Sequence, residues 1–315
     1  MEPQDAISAA QGPAVTAQYK PNLSEKKPIS PIYTAISLLL FIAIGFYVLN
    51  NNFTVIIVIS IVILVHELGH LLAMKYYNYS NLGIFFIPFF GGAATGSKKN
   101  ITQKEETIVF MAGPFPGIII GSILAVVSLY WVENDLLSSL SVGFIFINLF
   151  NLLPIYPLDG GRMIEVLFLD QKKTLSLVFS CLSIAAIIYF VIYYKNYILL
   201  IFAAIIASNL FTDHQKEKVK RVLAEDGVEI DTGYENLSEE DYQQSRIRTI
   251  QYVTAFNNYD MDQYDVHSKK EKTLAQAISQ ILDPAPLRDL GIWQKLIIII
   301  VWIASFGSVW LTGLY

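Results

Sequence analysis

Residues Phe53 to Val65 are apolar apart from Thr54 and Ser60, and the run continues as His66-Glu67-Leu68-Gly69-His70 and then Leu71-Leu72-Ala73-Met74. About 20 apolar residues suffice for a helix to cross a bilayer, and in lipid the backbone is satisfied only within helices or closed barrels. The segment is thereby confined to a transmembrane helix that carries three ionisable side chains in little more than one turn. Each such group costs roughly 3 kcal/mol at membrane depth, so groups of this kind persist where they serve chemistry. Residues four apart share a helix face, so His66 and His70 can turn two imidazoles toward one metal ion. Glu67 stands beside them, placed as a general base toward metal-bound water. Two of the four histidines of the chain lie here; His214 and His267 sit among charges and read as solvated.

The chain of 315 residues is 54% hydrophobic, with a mean hydropathy of +0.46. That is too apolar for an ordinary soluble domain and fits a polytopic, all-α membrane protein. The net charge of −5 decides little, because the charges lie outside the apolar blocks. No basic stripe with interleaved aromatics is present, so nucleic acid is not an expected partner. The single cysteine, Cys181, cannot form an intrachain disulfide and reads as a small buried hydrophobe. Residues 1–30 are polar and contain Pro3, Pro13, Pro21 and Pro28, with no short apolar core before a cleavage site. The expectation there is a disordered cytoplasmic tail rather than a cleaved signal peptide.

Seven transmembrane helices are expected, at about 32–50, 53–75, 107–132, 139–157, 174–194, 196–211 and 293–313. Only Lys195-Asn196 splits the block 174–211, which reads either as two crossings or as one long helix and an interfacial piece. Lys20, Lys26, Lys27, Lys75, Lys98, Lys99, Lys104, Arg162, Lys172 and Lys173 all fall on one side, and Lys195 alone on the other. By the positive-inside rule the first side is cytoplasmic, so the N-terminus and the opening to His66 and His70 face the cytoplasm. The expected location is a bacterial inner (plasma) membrane, with the lipid bilayer as constant partner. Residues 81–97 are apolar but too short to cross, and Pro88, Gly91 and Gly92 break a helix. They read as a short re-entrant hairpin beside the metal site, or else as a loop on the headgroups. The domain plan is a tail (1–30), a transmembrane core (31–211), a soluble helical cytoplasmic segment (212–292) and a last transmembrane helix (293–315).

Two histidines do not complete a catalytic zinc site, which ordinarily has three protein ligands and an open position. The best third ligand lies in Asn151-Leu152-Leu153-Pro154-Ile155-Tyr156-Pro157-Leu158-Asp159-Gly160-Gly161, where two prolines interrupt a helix near its cytoplasmic end. From the residues alone, Asp159 is either a ligand or part of a simple Asp-Gly turn. Taken together, His66 to His70 and the N-x-x-P-x-x-x-L-D-G pattern from Asn151 to Gly160 resemble the site-2 protease family of intramembrane zinc metalloproteases. The likeness covers roughly residues 53–165.

The resemblance implies a polytopic helical fold, one zinc ion per chain held by His66, His70 and Asp159, and Glu67 as the catalytic base. It further implies hydrolysis of peptide bonds in or near transmembrane segments, with membrane proteins or leftover signal peptides as substrates. Family members often carry a glycine on the intervening helix with an asparagine four residues later. Here Gly113 is followed by Gly117, which with Gly121 continues a small-residue spacing suited to close helix packing. Asn151 then remains to support substrate or the oxyanion, unless it bonds backbone freed by Pro154. Arg162 and Glu165 read as an i, i+3 pair without chemistry. No room is left for a PDZ module between the motifs, and 212–292 is too short for a pair of CBS modules. The rival reading is a catalytically silent membrane scaffold of the same fold that binds membrane-protein partners. Such proteins normally lose the glutamate or a ligand, and all four residues are kept here.

Overall fold

The computed structural model describes residues 20–23, 29–88, 91–169, 172–195, 197–230, 233–260, 265–283 and 286–312. These fall into two compact units, one drawn from 1–24 and 211–284, the other from 25–210 and 285–315.

The larger unit is built from apolar helices. α1 (Pro31–Val48) and α2 (Phe53–Tyr76) are joined by a short turn in which Asn52 caps α2, its side chain accepting from Val55 N at 3.1 Å. An antiparallel hairpin follows, β1 (Ser80–Ile87) and β2 (Gly91–Ser97), in register Ile84↔Ala94 and Phe86↔Gly92. Phe89 and Phe90, between the strands, lie outside the described residues. The hairpin is bound to α1: Thr34 Oγ1 donates to Ile84 O at 2.5 Å, and Phe86 packs on Phe41 with ring centroids 6.2 Å apart.

The third expected span is two helices, α3 (Gln103–Ala112) and α4 (Pro114–Tyr130), parted at Gly113. Pro114 has no amide hydrogen to donate and suits the start of a helix, which is why the ladder restarts there. α3 also begins earlier than expected, at a Thr102–Glu105 capping box. α5 (Asp135–Asn151) replaces the expected 139–157: the Asn134 side chain caps its start, and Pro154 ends it early. At 1.5 Å per residue its 17 residues span about 26 Å, against about 30 Å of hydrocarbon. The turn that follows therefore begins at membrane depth. It leads to α6 (Asp159–Ile164), and a π-helical segment, Glu165–Leu169, continues it.

α7 (Lys173–Tyr194) ends at Lys195, whose φ of 54° breaks the helix, and α8 (Leu200–Glu225) follows a 3₁₀ turn. Both are long and apolar enough to cross, so the block at 174–211 holds two candidate spans. With α1, α2, the α3–α4 pair and α12 (Ile292–Ser305), continued by a 3₁₀ turn, six segments among the described residues meet that measure, and α5 is a shorter seventh. Their outward faces are apolar, Leu39, Ile119, Ile123 and Ile192 among them, as a lipid solvent requires. Cys181 is on such a face and is exposed, not buried as its apolar neighbours suggested. Exposed aromatics mark the helix ends: Tyr33, Tyr76 and Trp293 on one side, Tyr47, Trp131 and Tyr194 on the other. The chain is a multi-pass membrane protein.

The smaller unit has its own core. Val219 and Leu223 of α8 pack with Tyr234 of α9 (Gly233–Asn236), Tyr242 and Ile250 of α10 (Glu239–Tyr252), and Leu274 and Ile278 of α11 (Lys269–Leu282). Residues 20–23, expected in a disordered tail, are part of it. Lys20 Nζ donates to the carbonyls of Tyr234, Glu235 and Leu237 at 3.0, 2.7 and 2.9 Å, and Tyr234 Oη donates to Pro21 O at 2.7 Å. One ammonium thus satisfies three carbonyls at a helix end, which polarity alone does not reveal. Residues 1–19 and 24–28 of that tail lie outside the described residues.

Candidate metal centre

α2 carries His66, Glu67 and His70 on its buried side, at 5%, 5% and 8% exposure. Asp159 opens α6, carried inward by the turn that Pro154 and Pro157 impose after α5. His66 Nε2 lies 3.1 Å from Asp159 Oδ2, His70 Nε2 lies 3.2 Å from the same oxygen, and the two Nε2 atoms are 3.1 Å apart. Zinc bonds of about 2.0–2.1 Å place tetrahedral ligand atoms about 3.3 Å from one another, so the triangle has the size a zinc ion needs.

The tautomers follow from the outer partners. His66 Nδ1 faces Asn148 Oδ1 at 2.8 Å, and His70 Nδ1 faces the Val109 carbonyl at 2.7 Å. Both partners are acceptors, so each imidazole carries a hydrogen on Nδ1 and leaves Nε2 to face a metal ion inward. Asn148 is itself oriented, its Nδ2 donating to Phe144 O at 2.7 Å. Asp159 Oδ2 is buried with no hydrogen-bond donor. Two imidazole nitrogens and a carboxylate oxygen converging on one point are suited to a cation. His66, His70 and Asp159 are the one metal-capable group of this kind among the described residues.

Glycines allow this closeness. A Cβ on Gly69 would strike the Ala112 carbonyl, so the glycine inside the histidine motif lets α2 meet the α3–α4 junction. A Cβ on Gly113 would strike His70 Nε2, and one on Gly117 would strike the Asn148 amide. The small-residue spacing does pack α4 against α5, with Gly121 against Phe144 and Ile145, and it also makes room for a histidine and its neighbour's support. Gly160 and Gly161 are pressed on the backbone of Leu152–Tyr156, which ties the aspartate turn to the end of α5.

Glu67 points toward β2: a Cβ on Gly92 would meet its carboxylate, and the Ala94 backbone bonds to it. A cavity of about 450 Å³ opens beside it, lined by His66 and Glu67, Gly91 and Gly92, Asn151 and apolar residues of α1 including Phe41 and Ile44. Asn151 thus reaches the cavity wall, with Nδ2 donating to Ile147 O one turn back on its own helix at 3.0 Å. The sequence reading passed over Asn148, although a buried asparagine inside an apolar span is itself a signal. Arg162 and Glu165 have separate surroundings: the guanidinium lies over the Phe110 and Tyr156 rings, and Glu165 accepts from Ser176 Oγ at 2.9 Å.

Residues 54–145 match peptidase family M50. The chain is 27% identical over 226 residues to zinc metalloprotease MJ0392 of Methanocaldococcus jannaschii, covering 67% of this chain and 62% of that protein. It is 30% identical over 136 residues to stage IV sporulation protein FB of Bacillus subtilis, covering 42% and 46%. The match thus spans less than two thirds of either relative. The solved site-2 protease from Methanocaldococcus jannaschii is 26% identical, with a TM-score of 0.40 over 54% of this chain and 84% of that one. Over residues 54–145 the chain is thus similar to peptidase family M50, and over longer spans it is similar to a zinc metalloprotease and a sporulation protein.

Proposed function

We propose that the chain is a zinc-dependent intramembrane endopeptidase that hydrolyses peptide bonds in or near the transmembrane segments of membrane proteins or leftover signal peptides. The observation that carries this is the triangle of two imidazole nitrogens and one carboxylate oxygen 3.1–3.2 Å apart, with Glu67 buried beside it. His66, His70 and Asp159 would hold one zinc ion per chain. Bound there, zinc supplies Lewis acidity that polarises a carbonyl and lowers the pKa of water toward ~7. Glu67 takes a proton from the attacking water and passes it to the departing amine. Asn151, which lines the cavity, would hold the scissile segment or support its oxyanion.

A helical substrate buries its backbone hydrogen bonds, so a stretch must unwind before Glu67 can act on it. The apolar cavity beside Glu67 suits such a stretch. The hairpin is read as re-entrant, with β2 offering a backbone edge to the unwound segment as an added strand. Proline at Phe89 and Phe90 with undiminished cleavage would sink that part. Lysine placement supports an opening toward the cytoplasm.

The test is zinc per chain in gently extracted, zinc-resupplied protein. One equivalent is expected, lost in His66→Ala and Asp159→Ala. Glu67→Gln should keep the zinc while cleavage of a tethered reporter falls by about 10²–10⁴. A folded parent that takes up no zinc overturns the proposal.

A further inference from the structure

Beyond the ligands themselves, we propose that α12 is a brace on the metal-binding turn, with Trp302 and Lys295 as positioning residues for Asp159. The proposal rests on the metal-centre reading above. α5 ends at Asn151, and Tyr156 N, four residues past Leu152, donates to Ser183 Oγ at 3.1 Å instead of closing the ladder, so the Leu152 carbonyl needs a partner from elsewhere. Trp302 Nε1 donates to Leu152 O at 2.9 Å. The same carbonyl is what a Cβ on Gly160 would strike, so it is held by the indole on one side and the residue after Asp159 on the other. Lys295 Nζ donates to Leu167 O at 2.6 Å, in the π segment that continues α6. Trp302 and Lys295 are seven residues apart, two turns along one face of α12. One helix thereby grips the chain just before and just after the aspartate.

The entry to α12 is fixed as well. Leu287 N donates to Ile101 O at 2.9 Å, and Gln103 N donates to Leu287 O at 2.8 Å. Lys104 N donates to Asp289 Oδ1 at 2.8 Å. Gln103 Nε2 meanwhile reaches the Val166 carbonyl, next to the one Lys295 holds. Farther along, α3 supplies the Val109 carbonyl that orients His70. The segment from Leu287 to Trp302 therefore bears on the aspartate turn directly and on His70 through α3. Residues expected to form only a terminal span at 293–315 bear on the metal.

The brace is tested on the full-length, zinc-loaded protein by its rate of zinc loss to excess chelator and by the visible spectrum of its cobalt-substituted form. Trp302→Phe keeps the ring and drops the N–H; Lys295→Met keeps the stem and drops the donors. The double variant should lose zinc about tenfold faster than the parent and each single variant about threefold faster, as expected for lost hydrogen bonds that restrain one ligand. The cobalt bands should shift, and Lys295→Arg should release zinc within about twofold of the parent rate. If the double variant does not fold, the single variants carry the same readout. Parent-like release and spectra from both single variants would assign α12 to packing alone and overturn the brace. A parent that takes up no metal would overturn the metal centre itself, and the brace with it.

Discussion

Among the described residues charge is buried in two places, and they treat it differently. In the smaller unit, Arg246 and Glu271 are 2% and 3% exposed. Arg246 Nε donates to Glu271 Oε1 at 2.9 Å, Tyr242 Oη donates to the same oxygen at 2.8 Å, and Arg246 also reaches the Asp260 carbonyl at 3.0 Å. There donors meet acceptors and the charges are of opposite sign. At the metal centre two imidazole nitrogens and a carboxylate oxygen converge, and no lysine or arginine answers the carboxylate among the described ion pairs. The first arrangement is complete within the chain and holds helices α10 and α11 together. The second becomes complete only with a cation. Burial and charge are common to both; the balance of donors and acceptors separates a structural cluster from a site.

The largest expected effect tests the incomplete set. Asp159→Leu should abolish zinc uptake and cleavage while the smaller unit melts as in the parent; metal analysis and calorimetry read the two halves. In the complete set the effects reverse. Arg246→Met alone should cost about 3–5 kcal/mol in the unfolding of its unit, and adding Glu271→Leu should recover most of it, with zinc content unchanged throughout. Were Arg246→Met to leave stability untouched, the contrast between the two clusters would fail. A smaller effect sharpens the metal side: Asn148→Ala should weaken zinc affinity about 10–100-fold in chelator competition, with Asn148→Asp close to the parent because it keeps the acceptor. Least of all, Arg248→Ala breaks a solvent-screened pair with Asp226 (2.7 Å) and should leave melting and zinc binding unchanged.

His66, Glu67, His70 and Asp159 were legible because their chemistry is written in short spacings and their cost in lipid marks them out. That residues 81–97 form a hairpin and not a helix was legible from Pro88, Gly91 and Gly92, which break a helix. Asn148 was not singled out because its partner, His66, belongs to another helix, and Asn151 stood closer to the recognised pattern. Lys20 and Trp302 were illegible for the same reason at greater range: each satisfies carbonyls of segments distant in sequence, at Tyr234–Leu237 and at Leu152, and no local pattern records which carbonyls lack donors. The split between α3 and α4 was missed because apolar composition runs straight through Gly113 and Pro114; composition finds the crossing, and backbone chemistry finds its break.

The π segment at Glu165–Leu169 has a bearing on how this chain tolerates change in length. A π turn is what an α-helix becomes on accepting one residue more than its ladder needs. Deleting one residue there would let the ladder close as ordinary α-helix, at little cost to helicity. The helix beyond would stay nearly in phase with Asp159, but the widened turn that presents the Val166 and Leu167 carbonyls to Gln103 and Lys295 would close and draw them back into the ladder. Among sequences of this lineage, the count of residues from Asp159 to Lys173 should therefore stay constant where substitutions within it do not.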